Sequence, residues 1–221
     1  YNISANEPYI VRNVKYVIED NVIDSILRAN NQLLKIRPGQ MFSINQLNDE
    51  RKRITDYLSD NGYFQFNKEF IHFDIDSSRI NHTVDMTMYL DRYRRNSYQE
   101  LSDHPIYVVR SVNFLGNEKS DFRIRKKVLE QNCFITPGKP YSNKDLQMTY
   151  NRFSRLHAIK YTNIHYEEDQ SAKALDCNIQ ISPQKTHSLQ FQPEGTNTAG
   201  DFGAAASLVY QNRNLFNGSE L

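Results

Sequence analysis

The stretch Pro38-Gly39-Gln40-Met41-Phe42-Ser43 decides the fold, because a second version, Pro137-Gly138-Lys139-Pro140-Tyr141-Ser142, follows 99 positions later. The similarity extends upstream of both loops. Residues 9–14 read Tyr-Ile-Val-Arg-Asn-Val, and residues 107–112 read Tyr-Val-Val-Arg-Ser-Val. Landmarks in the same order at nearly one spacing indicate an internal duplication, in which each copy is one structural unit.

The first copy predicts the order β-α-α-β-β. Apolar residues alternate in the first and last segments, as in half-buried strands, and recur at helical spacing between them. Ser43 and Gln46 have the spacing of a helix-capping box, and Gly62 is placed to take a left-handed cap. The predicted elements are a strand at 9–18, helices at 20–34 and 43–61, and strands at 63–75 and 83–90.

The second copy repeats this order. Leu47 of the first copy corresponds to Leu146, again 99 positions later, and the apolar period continues through Tyr150 and Phe153. The predicted elements are a strand at 107–114, a helix at 121–133, a helix around 146–156, and strands at 161–167 and 174–181. Each unit has only about 80 residues, so a small core and modest stability are expected.

Composition excludes several functional classes. The formal net charge of the 221 residues is +1, which favours no polyanionic partner. The sequence contains no metal-ligand spacing, no phosphate-binding loop and no nucleophile motif. We therefore expect no catalytic residue, no metal and no cofactor. The two cysteines, Cys133 and Cys177, are either a disulfide or two small buried apolar residues.

The C-terminal region predicts one further hairpin. Residues 188–192 and 202–210 alternate, and residues 194–200 are rich in turn formers. With the two repeats and the segment Leu58–Phe64, the stretch Glu194–Leu208 and the following Tyr210–Glu220 resemble the POTRA region and first barrel strands of the BamA/TamA outer-membrane assembly superfamily. The TamA-like lipoproteins of Bacteroidetes look most similar.

The resemblance implies an α+β fold of tandem β-α-α-β-β POTRA repeats, each a three-stranded sheet backed by two helices, followed by the first hairpin of a truncated transmembrane β-barrel. The expected domains are the tail of a preceding repeat at 1–7, a repeat at 8–92, a linker at 93–105, the membrane-proximal repeat at 106–183 and the start of the barrel at 184–221.

The function implied by the resemblance is a periplasmic scaffold that receives substrates for an outer-membrane assembly or insertion factor. Nascent outer-membrane strands would add to an open sheet edge by β-augmentation, which depends on backbone hydrogen bonds. We predict the second strand of each copy to be that edge. The client-binding residues are predicted to be Asn67, Glu69, Ile71, Phe73, Thr162, Ile164 and Tyr166.

The expected partners are unfolded outer-membrane clients, accessory assembly proteins and the chain's own C-terminal barrel, with no nucleic acid. The expected location is the outer membrane of a Gram-negative bacterium, with this region facing the periplasm. A BamA-like insertase, a TamA-like module and a two-partner secretion transporter all fit this resemblance.

The alternative is a tandem KH-like module that binds single-stranded RNA, since KH domains also contain a β-α-α-β core. KH domains clamp the RNA backbone with a G-x-x-G loop. Here the corresponding loops are Arg37-Pro38-Gly39-Gln40 and Thr136-Pro137-Gly138-Lys139, each with one glycine. This departure argues against RNA binding.

Overall fold

The predicted order β-α-α-β-β is confirmed in both copies. The computed structural model describes residues 7–30, 35–96, 98, 100–116, 124–184, 187–198 and 201–212. The first copy contains β1 (Ile10–Ile18), α1 (Asn21–Ala29), α2 (Ile44–Ser59), β2 (Ile71–Ser78) and β3 (Thr83–Leu90). The second contains β4 (Val108–Gly116), α3 (Lys126–Asn132), α4 (Asn143–Phe153), β5 (Ile159–Asp169) and β6 (Ala174–Pro183), and a hairpin of β7 (His187–Thr198) and β8 (Asp201–Asn212) follows.

The chain divides into two compact units. The first comprises residues 1–107 with 140–143, and the second comprises residues 108–139 with 144–221. No described helix combines the length and apolar character needed to cross a membrane. Residues 1–6 of the predicted tail of a preceding repeat lie outside the described residues.

The first sheet has the order β1-β3-β2, with β3 parallel to β1 and antiparallel to β2. Strand β3 lies between the other two, and its residues alternate strictly between half-buried and buried. Val84, Met86, Met88 and Leu90 are at most 2% exposed and face the helices. Burying each such side chain contributes about 1.5–3 kcal/mol, so this strand supplies much of the core of the first unit.

Helix α1 is held at its start by Asp20, a fully buried carboxylate. Oδ1 of Asp20 accepts hydrogen bonds from the N–H groups of Val22 and Ile23, both at 3.0 Å. These bonds satisfy two of the donors that a helix start leaves unpaired. The helix ends at Ala29, where Asn30 bonds back to the carbonyl of Ile26. Residues 31–34, the predicted last turn, lie outside the described residues.

Helix α2 begins and ends close to the predicted positions. Ser43 is the N-cap, and its hydroxyl accepts from the N–H of Asn45 at 3.3 Å, one residue earlier than a capping box requires. After the helix ends at Ser59, Gly62 takes a φ of 96°. This left-handed conformation suits glycine, as predicted.

The predicted strand at 63–75 is wrong in its first half. Residues Lys68–Phe70 form a 3₁₀ turn, and β2 begins only at Ile71. Asn67 causes the turn, since its side-chain oxygen accepts from the N–H of Glu69 at 2.9 Å. Such a local bond competes with the strand ladder. Asn67 and Glu69, predicted to lie on an edge strand, therefore precede it.

The second sheet repeats the first, with the order β4-β6-β5 and the same parallel and antiparallel pairings. Helix α3 begins at Lys126, whereas its predicted start at Asp121 lies outside the described residues. The core of this unit collects around Phe153, Cys177 and Ile179, each 0% exposed. Both cysteines are free thiols, and burial raises the pKa of Cys177 to about 12.

An arginine–aspartate pair recurs on both sheets. Register shifts mark a bulge at Arg12 in β1 and at Arg110 in β4. Nε of Arg12 donates to Asp85 at 2.9 Å, and Nε of Arg110 donates to Asp176 at 3.1 Å. The arginine in each case lowers the pKa of its aspartate, for Asp176 to about 2. Because these pairs are exposed, each is expected to contribute little to the free energy of unfolding.

The hairpin is longer than the sequence indicated. Strands β7 and β8 are antiparallel, and the ladder runs from the pair His187 and Asn212 to the pair Thr198 and Asp201. Residues 194–198, which were predicted to be a turn, are therefore strand. A connection of two residues suffices to reverse an antiparallel pair, which leaves the remaining polar residues free to extend the ladder. Large apolar side chains along it are exposed: Leu189, Phe191, Phe202, Leu208, Val209 and Tyr210.

His104 anchors the segment after β3 within the first unit. Its backbone N–H donates to Oδ2 of Asp20 at 2.7 Å, and its Nε2–H donates to the carbonyl oxygen of Asp91 at 3.0 Å. The ring is surrounded by the aromatic side chains of Phe66, Phe70 and Tyr93. Nδ1 is buried and has no hydrogen-bond partner among the described residues.

Mild acid is expected to destabilise the first unit through His104. Burial lowers the pKa of His104 below its ordinary value of 6.5, against the opposing carboxylates of Asp20, Asp103 and Asp91. The imidazole of His104 therefore takes up a proton near pH 6.5 in the unfolded chain, whereas in the folded chain it stays neutral to a lower pH. Stability should fall as pH drops from 7.5 to 5.5, by at most about 1.4 kcal/mol per pH unit for one proton.

Urea unfolding of the wild type and of His104→Asn at both pH values measures this effect. The asparagine variant should be less stable at pH 7.5 and should lose part of the pH dependence. An equal pH dependence in the two proteins would rule His104 out as its source.

Candidate functional site: the open strand edges

Each three-stranded sheet has two outer strands, and the repeated Pro-Gly loop closes part of one of them. In the first unit, the N–H of Gly39 donates to the carbonyl of Val11 and the N–H of Val11 donates to the carbonyl of Gln40. In the second unit, Gly138, Val109 and Lys139 make the same two bonds. The loop thus satisfies backbone groups at the start of the first strand, and the edge of β2 or β5 is the better candidate for strand addition.

Strand β2 directs alternate backbone groups away from the sheet. The N–H of Asp91 donates to the carbonyl of Phe70, which makes this pair a hydrogen-bonded one. Because hydrogen-bonded and non-hydrogen-bonded pairs alternate in an antiparallel ladder, Ile71 and Phe73 belong to the second kind. Their N–H and C=O groups point to the open edge while their side chains pack into the core.

The predicted residues of the second copy, Thr162, Ile164 and Tyr166, all lie on β5. They share one register, since Ile164 pairs with Ile179 and the other two lie two positions away. Ile164 has a partner outside the ladder. Its N–H donates to the hydroxyl of Tyr150 at 2.8 Å, and this hydroxyl donates to the carbonyl of Ile164 at 3.2 Å. Ile164 therefore presents its backbone groups away from β6, and so do Thr162 and Tyr166.

The matching positions of the first copy carry different chemistry. Leu47 corresponds to Leu146, so Arg51 of α2 corresponds to Tyr150 of α4. The guanidinium carbon of Arg51 lies 5.8 Å from the ring centroid of Phe73, which is the register equivalent of Ile164. The edges of β2 and β5 thus have the same backbone geometry, but a different helix side chain lies beside each.

The role of Tyr150 was missed from the sequence, where it counts only as an apolar residue on a helix face. The sequence does indicate that Tyr150 makes a hydrogen bond, since the hydroxyl of a tyrosine in a core position needs a partner. The identity of that partner requires the register of β5, which the helix pattern does not contain.

Among the described residues, no three His, Cys, Asp or Glu side chains lie close enough to hold a metal ion. A cavity of about 820 Å³ lies between β4 and α3 in the second unit. The charged residues in its lining are Arg125 and Lys126, and the rest of the lining is mainly apolar, including Phe114 and Leu129. This lining offers no acid–base pair.

Comparisons with known proteins agree with this architecture. Residues 9–91 match the profile of the POTRA family, described as a surface antigen variable number repeat. No curated protein matches the chain. BamA from Haemophilus ducreyi lacking POTRA domains 1–3 is similar in structure, with 19% identity and a TM-score of 0.66 over 95% of this chain and 35% of that one.

The POTRA3–5 fragment of Haemophilus influenzae BamA is also similar, with 16% identity and a TM-score of 0.53 over 79% of this chain and 61% of that one. The chain thus spans about a third of the H. ducreyi structure and three fifths of the H. influenzae fragment. The resemblance inferred from the sequence is confirmed, whereas the TamA-like subtype stays a prediction. Residues 9–91 therefore match the POTRA family, and the chain has the fold of tandem POTRA repeats followed by a β-hairpin.

Proposed function

We propose that this chain is the periplasm-facing, substrate-receiving part of an outer-membrane protein assembly or secretion factor. It binds extended segments of unfolded outer-membrane proteins by β-augmentation, without catalytic chemistry. The observation that carries the proposal is the shared edge geometry: Phe73 of β2 and Ile164 of β5, at the same register, both direct backbone N–H and C=O groups away from their sheets. Such groups recognise an incoming strand with little dependence on its sequence.

The hairpin supports the same proposal. Strands β7 and β8 pair with each other and carry exposed apolar side chains, which suits the start of a barrel that meets lipid. We therefore propose that residues 184–221 begin a barrel in the outer membrane, that residues 106–183 are the repeat beside it, and that accessory assembly proteins bind the same region.

The RNA-binding alternative is weaker on structural grounds. A KH loop clamps the nucleic-acid backbone with its G-x-x-G turn. Here the N–H groups of Gly39 and Gly138 donate to the first strand of their own sheet, at 2.8 and 2.7 Å. The loop N–H groups that would have to bind RNA are therefore already hydrogen-bonded within the protein.

Photo-crosslinking with a strand-forming peptide tests the proposed function. The probe is a 12-residue peptide with the sequence of β8, carrying a photoreactive phenylalanine analogue in place of Phe202. Its control has proline at the positions of Ala205 and Ser207, because proline cannot donate to a ladder. We expect the probe to crosslink to β2 or β5 of the full chain and the proline peptide to fail. Crosslinks confined to the hairpin, or equal for both peptides, would contradict the proposal.

Ile75→Pro is expected to reduce capture at β2 about tenfold. Ile75 shares the outward register of Phe73, so proline there removes an edge N–H without breaking the ladder to β3. Its side chain is 41% exposed, so little core packing is lost. Ile75→Thr keeps both the amide and a β-branched side chain and serves as the control. Peptide capture measured for the two variants should differ; equal capture would show that the edge amides of β2 are not used.

A further inference from the structure

The hydroxyl of Tyr150 satisfies both outward backbone groups of one residue on β5. It accepts from the N–H of Ile164 at 2.8 Å and donates to the carbonyl of Ile164 at 3.2 Å. A tyrosine hydroxyl carries one donor and accepts as well, which matches the N–H and C=O that a strand presents at one edge position. These are the groups that an added strand would need.

The position of this hydroxyl is fixed by the core. The ring of Tyr150 packs against the buried cluster of the second unit, on helix α4, and only its polar end reaches the strand edge. The hydroxyl is therefore held beside Ile164 by apolar packing that phenylalanine would also provide. Its two hydrogen bonds at the edge can be removed while the ring is kept.

The described residues of the first repeat form no equivalent closure. At the matching position stands Arg51, whose guanidinium lies over the ring of Phe73. A guanidinium has donors and no acceptor, so it is unable to receive the N–H of an edge residue. Within the described part of the chain, no side chain hydrogen-bonds the backbone of Phe73. The outward N–H of Phe73 thus stays available to an incoming strand.

We propose that Tyr150 is a built-in stopper of the β5 edge, so that a client strand adds to β2 of the first repeat and to β5 only after the hydroxyl is displaced. This inference rests on the proposed function and assigns unequal roles to two repeats of one architecture. The first repeat receives the strand. The second is gated by a side chain that must give up two hydrogen bonds to the strand that replaces it.

Two variants of the full chain test the stopper. Tyr150→Phe removes the hydroxyl and keeps the ring, and Arg51→Tyr introduces a hydroxyl at the matching position of the first repeat. The readouts are amide hydrogen exchange at Ile164 and Phe73, resolved by NMR, and capture of the photoreactive β8 peptide mapped by mass spectrometry. Unchanged exchange at the amides of β3 and β6, the central strands of the two sheets, verifies that each variant is folded.

We expect Tyr150→Phe to accelerate exchange at Ile164 about tenfold and to raise capture at β5 by a similar factor, with β2 unaffected. Arg51→Tyr should slow exchange at Phe73 and lower capture at β2. If Tyr150→Phe changes neither exchange at Ile164 nor capture at β5, or leaves either one unchanged, the role of Tyr150 as a stopper is overturned and the proposed function is not. Absence of capture at both edges in every protein overturns the proposed function, and the gating with it.

Discussion

Replacing Asp20 by alanine is expected to lower the free energy of unfolding of the first unit by about 2–4 kcal/mol. The fully buried carboxylate of Asp20 accepts three backbone hydrogen bonds, two from the start of α1 and one from His104. Loss of the helix cap costs about 1 kcal/mol. The N–H of His104 would in addition be left buried without a partner, which costs about 1–3 kcal/mol more.

Asp24→Ala is the matched control for Asp20→Ala. Asp24 lies four residues further along the same helix and pairs with Arg28 on the surface, an arrangement worth about 0.3–0.5 kcal/mol. Exchange of the α1 amides measures the stability of this unit without interference from the second. If Asp20→Ala lowers the protection of α1 by no more than Asp24→Ala does, the buried carboxylate is not the anchor that its contacts indicate.

The repeat and its element order could be predicted because they depend on local patterns. Period-two alternation in β3 and the glycine after α2 each report on backbone conformation within a few residues. The triple acceptor at Asp20 could not be predicted, since its third donor, His104, lies 84 positions away. The sequence pattern also missed the 3₁₀ turn at Lys68–Phe70, because one side-chain bond from Asn67 overrides the strand propensity of the following residues.

The candidate edges were predicted in part. The order of the strands places β2 and β5 at the outside of their sheets, and Ile71, Phe73 and Ile164 lie on them. Whether their backbone groups are open depends on side chains from the helices. Tyr150 and Arg51 occupy the same repeat position and make different contacts with the strand. Their helical period predicts only which face they occupy.

Gly62→Ala is expected to be the most damaging glycine substitution in the first unit, with a loss of about 2–5 kcal/mol in the free energy of unfolding. Gly62 has a φ of 96°, where an alanine side chain alone costs about 1–2 kcal/mol. An added Cβ would also lie 2.6 Å from Cγ2 of Ile106, so part of the surrounding packing must shift, at a cost of about 1–3 kcal/mol.

Gly39→Ala separates these two costs. Gly39 has a similar φ of 87°, but a Cβ there meets no atom within 4 Å. It should therefore lose only about 1–2 kcal/mol, the conformational part. Hydrogen exchange of the α2 and β3 amides gives both values in the same unit. The N–H of Gly62 donates to Tyr141 and the N–H of Gly39 donates to Val11, and alanine can keep both hydrogen bonds. The difference in stability between the two variants therefore measures the steric overlap with Ile106. Equal losses would mean that the segment around Ile106 yields without cost and that the close approach at Gly62 does not constrain the fold.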